Sequence, residues 1–514
     1  MKSTKKIGAL FLLVTISLIT LYPCLSNDFV NWDDDKYVLE NRDIQALTGQ
    51  NIGKIFSSFY CGAYVPLTVL SFAIDYQIGV LNTLIYHRTN LLLHFLNSIL
   101  IFWVVYLFCK KTGVSFLTAL FFTIHPLHVE PVAWVTGRKD LLYALFFTGS
   151  VIAYLYFRTS DRRQYYLMSF LLFILALFSK PAAVTLPFVL LVIEYFVYSQ
   201  SNKKSLIRMA PYLILSIIFF YIAVIAQRTA GAFPQGKLNF LQQINISLSN
   251  FLFYLYKMIV PIKLSCIYPI QNYWFAPFLV GAIIIVILIS LRYNRIIALT
   301  MVFFVIMMLP VLQLIPVGQI LSDRYTYLSL TGFFYLLAAA LYTLYLHAKK
   351  KFRIFIIIIV LLITVFLSTL SNKQCRIWKD GMTLWTYVIN TYPDISVAYN
   401  NRGTIHSNNR NYTNALEDYN KALQINPKYV KVYVHRGNVF NNLGDFDRAL
   451  SDYNKALKID STCLIAYHNR AVLYYNNKNY EHSLKDFLRI RELGGEVPDD
   501  VINYLKDLLK KDNQ

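Results

Sequence analysis

Charge is what this chain has least of. Only 15% of its 514 residues are Asp, Glu, Lys or Arg, where a water-soluble chain carries about 25%. Hydrophobic residues make up 56%, and the mean hydropathy is +0.44. That balance excludes a disordered chain and an ordinary soluble one. Paired cysteines are lacking too. The six (Cys24, Cys61, Cys109, Cys266, Cys375, Cys463) are scattered without a C-x-x-C pair, so neither a zinc site nor a redox motif is supported. Cys24 and Cys61 flank one loop, and a bridge between them is the lesser reading. There is no G-x-G-x-x-G and no P-loop, so nucleotide binding has no support.

What is there is apolar length. Runs of about 18 residues or more recur up to Leu370 and predict membrane-spanning helices. From about Asn372 the chain turns polar and Asn-rich. Charge divides at the same place. Residues 1–371 carry 29 Lys+Arg against 12 Asp+Glu, and residues 372–514 carry 20 against 16. The basic excess in the membrane part marks cytoplasmic loops rather than a nucleic-acid surface.

Lys2, Lys5 and Lys6 place the N-terminus in the cytoplasm. Later clusters (Lys110-Lys111, Arg158 with Arg162-Arg163, Lys203-Lys204, Arg292 with Arg295, Lys349 to Lys351) mark inner loops. About eleven spans satisfy them all, near 7–25, 90–108, 113–125, 141–157, 165–180, 182–199, 210–227, 275–291, 296–315, 327–346 and 354–371. The first is read as an uncleaved span, not a signal peptide. Two apolar stretches, 65–80 and 245–262, are then interfacial or re-entrant. The C-terminal part falls outside the cytoplasm. The expected fold is all-α: a polytopic membrane helix bundle over 1–371, a linker and capping helix over 372–397, and an α-solenoid over 398–514.

The solenoid expectation rests on a 34-residue period. Tyr399, Tyr433 and Tyr467 recur, followed by Gly403, Gly437 and Ala471. Ala415, Ala449 and Ser483, then Tyr419, Tyr453 and Phe487, repeat in the second helix of each unit. Period and residue types are those of tetratricopeptide repeats, in three units with a closing helix. Such arrays offer a concave surface to peptides or proteins, and a plain spacer is the bland alternative.

Ionisable groups in a membrane protein are costly, so their positions inform. Five of the twelve acidic residues of the membrane part (Asp28, Asp33, Asp34, Asp35 and Glu40) lie in the first outer loop. Adjacent carboxylates just after a span suit a general base or a divalent cation. A solvated acidic loop fits equally well. The second outer loop runs His125-Pro126-Leu127-His128-Val129-Glu130-Pro131, then Gly137-Arg138-Lys139-Asp140. Its prolines break the helix that would align the histidines for metal. Arg138 and Lys139 suit an anion at a helix start. Arg324, in Ser322-Asp323-Arg324-Tyr325, is a phosphate partner of the same kind. Lys180, at the end of its span, is either another or a snorkelling lysine. Whether a divalent cation takes part is left open.

Taken together, Asp33-Asp34, Tyr64-Val65-Pro66-Leu67-Thr68, His87, His94, His125 to Ala133, Gly137 to Leu142 and Asp323-Arg324-Tyr325 resemble the transmembrane-and-tetratricopeptide O-mannosyltransferases of the glycosyltransferase C superfamily. The resemblance covers nearly the whole chain. It departs at Pro181 after Lys180, at Val65, and in the small number of repeats, which is more like a bacterial relative at an inner membrane. It implies transfer of mannose or another hexose from a polyprenyl-phosphate sugar to Ser/Thr of a protein at the non-cytoplasmic face. By that resemblance Asp33 or Asp34 is the catalytic carboxylate, with Glu130 a second acid at the mouth. Arg138 and Arg324, with Lys180 and His128, would hold the donor phosphate. The same chemistry on a glycan or lipid acceptor, or a non-enzymatic membrane scaffold, are the alternative readings.

Overall fold

The computed structural model describes residues 2–198, 203–230, 239–312 and 321–512. Residues 316–320 of the expected third outer loop, and the ends of two expected spans (199 and 313–315), lie outside the described residues. Among the described residues there is no strand, only two isolated bridges, Tyr60 with Ala63 and Tyr268 with Leu321. The chain forms two compact units, Met1–Asp380 and Gly381–Gln514.

The first unit contains α1 (Lys2–Leu21), α2 (Gly49–Ser57), α3 (Pro66–Gly79), α4 (Thr83–Cys109), α5 (Thr112–Ile124), α6 (Val129–Ala133), α7 (Arg138–Ser160) and α8 (Arg163–Ser179). There follow α9 (Leu186–Phe196), α10 (Lys203–Thr229), α11 (Phe240–Ile259), α12 (Ala276–Tyr293), α13 (Arg295–Met308), α14 (Thr331–His347) and α15 (Lys350–Ile377). Six helical segments are long and apolar enough to cross a membrane: Lys6–Ser26, Thr83–Cys109, Val135–Ser160, Lys203–Thr229, Ala276–Tyr293 and Lys350–Ile377. Four of the other expected spans are shorter apolar helices, Arg163–Ser179, Pro181–Phe196, Arg295–Val311 and Thr331–His347. The remaining one is bent. Thr112–Ile124 and Pro126–Ala133 meet at 62°, because Pro126 has no N–H to continue the ladder and holds His125 extended.

This unit is arranged polar-inward. Along α4, His87, Asn90, His94 and Asn97 are buried, while Leu84, Leu92 and Leu96 face outward. Their spacing of three and four residues makes one stripe on the helix. Within an apolar surrounding each polar group must find a partner. Asn90 donates to the Trp134 carbonyl (2.9 Å), Asn97 to the Leu141 carbonyl (3.0 Å), and His94 bonds the Tyr327 hydroxyl (2.8 Å). α4 thereby fixes the start of α7, which packs on α8 along its length. α15 continues to Ile377, so the bundle ends later than the expected boundary at residue 371.

The second unit contains α16 (Gly381–Thr391), α17 (Ser396–Asn408), α18 (Tyr412–Ile425), α19 (Val430–Asn442), α20 (Phe446–Ile459), α21 (Leu464–Asn476), α22 (Tyr480–Glu492) and α23 (Asp499–Asp512). α17 to α22 form three helix hairpins. The small residues are required by contact. A Cβ on Gly403 would lie 2.8 Å from the Tyr419 ring, and one on Gly437 2.6 Å from the Tyr453 ring. Each hairpin also holds one ion pair not expected from the sequence: Arg402–Asp418, Arg436–Asp452 and Arg470–Asp486, each 2.7 Å. The arginines of the second and third hairpins reach back to Asn420 and Asn454 of the hairpin before.

Candidate active site

The first outer loop leaves α1 through the short turn Tyr22–Ser26. The Asp28 N–H donates to the Lys379 carbonyl (2.7 Å). Asn27 donates to the Cys375 carbonyl (3.1 Å). The loop is therefore tied to the end of α15. Cys24 and Cys61 are both free thiols, the first buried and the second exposed.

Asp33 and Asp34 are adjacent in sequence and opposite in setting. Asp34 is fully buried. Its Oδ2 accepts from the Val30 N–H (3.0 Å), and its Oδ1 accepts from the Thr136 N–H (3.0 Å) and the Thr136 hydroxyl. Burial pushes its carboxyl up to about 7, against the pull of those hydrogen bonds. Asp34 thus fastens the first loop to the second, with both oxygens engaged inside the protein. Asp33 remains partly open, with 29% of its side chain exposed and Lys139 Nζ 3.4 Å away. Asp35 is half-buried, and burial raises its carboxyl as well.

Lys139 lies over two rings, Tyr37 (5.2 Å) and Trp134 (4.9 Å). The guanidinium of Arg324 lies 5.1 Å from the same Trp134 ring. One buried indole therefore carries two cations, which is favourable because its face is electron-rich. Trp134 in turn stacks on Trp378, at 6.0 Å. Beside Arg324, Tyr325 lies 4.9 Å from the guanidinium and 5.4 Å from Lys180 Nζ. Lys180 is paired with the buried Asp140 and stays 15% exposed.

Glu130, expected as a second acid at the mouth, is buried. It is 1% exposed. Its carboxylate accepts from the Ser322 hydroxyl (2.7 and 2.8 Å), the Arg324 N–H (2.9 Å) and Arg324 Nη1 (2.6 Å). It joins the loop before α7 to the segment before α14 and orients Arg324. Neighbouring Asp323 is buried and accepts from the Tyr268 hydroxyl (2.6 Å). Burial, with the charge of Glu130 beside it, holds its carboxyl well above the usual range.

Arg138 and His128, expected as phosphate ligands, are both enclosed by protein groups. Arg138 is 0% exposed. Its Nε donates to Asn90 (2.8 Å), Nη1 to the Ser71 carbonyl (3.2 Å) and Nη2 to the Tyr86 carbonyl (2.9 Å), with Asp75 2.5 Å from Nη2. All three nitrogens are engaged inside the protein. His128 is 1% exposed, bonds the Phe122 carbonyl through Nδ1 (2.6 Å) and packs against Phe122, Tyr327 and Phe334. Among the described residues no group of three or more His, Cys, Asp or Glu is placed to hold a metal ion.

Contacts thus link Asp33, Lys139, Trp134, Arg324, Glu130 and Lys180; of these Asp33, Lys139 and Lys180 stay partly open, while Trp134, Glu130 and Arg324 are buried, as are Asp34, Arg138 and His128. Sequence reasoning missed Trp134, Thr136 and Ser322. It also missed Asp75, for which a signal existed. Asp75 is the single charge in the apolar helix α3, and such a charge needs an opposite one.

Comparison with known proteins agrees with this architecture. The tetratricopeptide repeat family matches residues 396–429 and 430–463. A Caenorhabditis elegans protein O-mannosyl-transferase, F38B6.6, is 26% identical over 82% of this chain and 63% of its own length. Human protein O-mannosyl-transferases TMTC4 and TMTC1 are 30% and 29% identical, each over 38% of this chain and over 30% and 25% of their own lengths. The chain spans less than two thirds of each of these relatives. It is a multi-pass membrane chain with tetratricopeptide repeats, similar over most of its length to a protein O-mannosyl-transferase and, over shorter stretches, to the TMTC proteins of that designation.

Proposed function

We propose that this chain is a glycosyltransferase. It moves mannose or another hexose from a polyprenyl-phosphate donor to a Ser/Thr hydroxyl of a protein, at the non-cytoplasmic face. The observation that carries the reading is the pairing of one partly open carboxylate, Asp33, with the partly open cations Lys139 and Lys180 and the buried Arg324, around Trp134 and Tyr325. The names of the relatives support the sugar and the protein acceptor.

The reaction asks for two things. A hydroxyl must lose its proton as its oxygen attacks the anomeric carbon, and the bond from that carbon to the phosphate oxygen must break with its electron pair on the phosphate. Asp33 takes the proton. Lys139 beside it, 3.4 Å away, fixes its direction. Arg324 and Lys180 offset the charge growing on the departing lipid phosphate. Glu130 positions Arg324, and Asp34 positions the Asp33 turn. The tetratricopeptide unit docks the acceptor protein.

Glycan mass spectrometry of proteins and lipids from cells lacking the gene tests this. Loss of a protein-linked hexose, restored by the wild-type chain, is the expected result. Loss of a sugar from lipid or polysaccharide alone would move the acceptor, and an unchanged glycan profile would remove the enzymatic reading.

A further inference from the structure

Beneath the mouth, α4, α7, α9, α13 and α14 line a half-open cavity of about 520 Å³. Its walls are apolar, with Val104, Val151, Ile193 and Phe303 among them. It occupies the half of the bundle away from Asp33. α4 and α7 both start at the mouth, at Thr83 and Arg138, but line the cavity only from Ile101 and Phe147 onward.

A polar layer separates the cavity from the mouth. Asn97, one helical turn before Ile101, donates to the Leu141 carbonyl (3.0 Å) and to the Tyr327 hydroxyl (3.2 Å). That hydroxyl also bonds His94 (2.8 Å), and Tyr327 is buried just before the lining residue Leu328. Close below, α13 and α14 touch, because a Cβ on Gly332 would meet the Thr300 carbonyl at 2.9 Å. At the far end stand two cations, Lys111 after α4 and Arg295 at the start of α13.

We propose that this cavity is a phospholipid site. It takes one acyl chain of an anionic phospholipid from the leaflet opposite the mouth, with the lipid phosphate between Lys111 and Arg295. An apolar cavity in a membrane protein gains nothing from water, which would find few polar partners there. A chain supplies the missing apolar contacts. Two cations at one end select an anionic headgroup, at about 1 kcal/mol for each basic residue at the surface. The donor's polyprenyl chain is the poorer occupant. Its phosphate belongs at the mouth, where the Asn97–Tyr327 layer closes the cavity, and the chain is several times longer than an acyl chain.

The test is native mass spectrometry of the full chain in a mild neutral detergent, titrated with phosphatidylglycerol, phosphatidylcholine or polyprenyl phosphate. Phosphatidylglycerol is expected to bind more tightly than phosphatidylcholine. Lys111→Gln and Arg295→Gln should each weaken phosphatidylglycerol about fivefold and leave phosphatidylcholine unchanged. Ala339→Leu, which fills part of the cavity without touching either charge, should weaken both lipids alike. Equal binding of the two phospholipids, indifference to both charge changes, or displacement of phosphatidylglycerol by polyprenyl phosphate would overturn the assignment.

Discussion

The two units bury charge in different ways. In the repeat unit three Arg–Asp pairs with buried aspartates each join residues sixteen apart, one in every hairpin. In the membrane unit the pairs made by Arg138 and Arg324 do not recur and are long-range. Arg138 meets Asp75 across 63 positions, and Arg324 meets Glu130 across 194. A repeated pair stabilises one local hairpin at a time. A unique pair ties distant segments together, so breaking it should disturb the whole bundle.

That difference sets the order of expected effects. The largest concerns Arg138. Arg138→Ala leaves Asp75 buried without its cation, a loss of about 3–5 kcal/mol, so little folded membrane unit should be recovered in detergent. Arg436→Ala in the repeat unit removes a pair whose arginine is 19% exposed and should cost less, about 1–3 kcal/mol. Thermal unfolding of the two variants compares them. Equal losses would erase the distinction between the units.

Next come the two aspartates. Asp33→Asn should leave the thermal midpoint close to wild type and lower sugar transfer about 100-fold or more. Asp34→Asn should act on the fold instead. An amide cannot accept from both Val30 and Thr136 with the same oxygens, and one buried N–H would face an amide NH₂, at about 1–3 kcal/mol.

Gly437→Ala should destabilise the repeat unit by about 1–3 kcal/mol through the Tyr453 ring. Gly444→Ala meets open space but sits at φ +77°, and should cost about 1–2 kcal/mol. Chemical denaturation of residues 381–514 within the full chain, followed by a repeat-unit label, would rank them.

A separate effect is in pH. The Asp34 carboxyl is held up to about 7 in the folded chain, against about 3.9 when unfolded. Its folded pKa is therefore the higher one. Below about pH 4 both states are protonated, and the stability it contributes is full there. Between about pH 4 and 7 the unfolded chain releases the proton first, so wild type should lose midpoint relative to Asp34→Asn as pH rises. A difference independent of pH would contradict the assignment.

The same contrast explains what could be read in advance. The repeat unit was legible because its period places Gly403 against Tyr419 and Gly437 against Tyr453 in each copy. Even so, Arg402, Arg436 and Arg470 went unnoticed beside their aspartates. Helix positions in the membrane unit were legible from apolar length, and the bend at His125-Pro126 from the proline. Which way a charged side chain turns was not. Asp33 and Asp34 differ by one residue, and only the arrival of Thr136 from the second loop makes one of them inward. Arg138 looked like a phosphate ligand at a helix start until α3 brought Asp75 to it.

The central claim is that Asp33 works on substrate while Asp34 holds the loop. The most direct measurement is protein-linked hexose per unit of folded chain, in cells lacking the gene that express either Asp33→Asn or the wild type at matched levels. The account predicts a folded Asp33→Asn chain that restores almost no hexose. Full restoration by Asp33→Asn would contradict it.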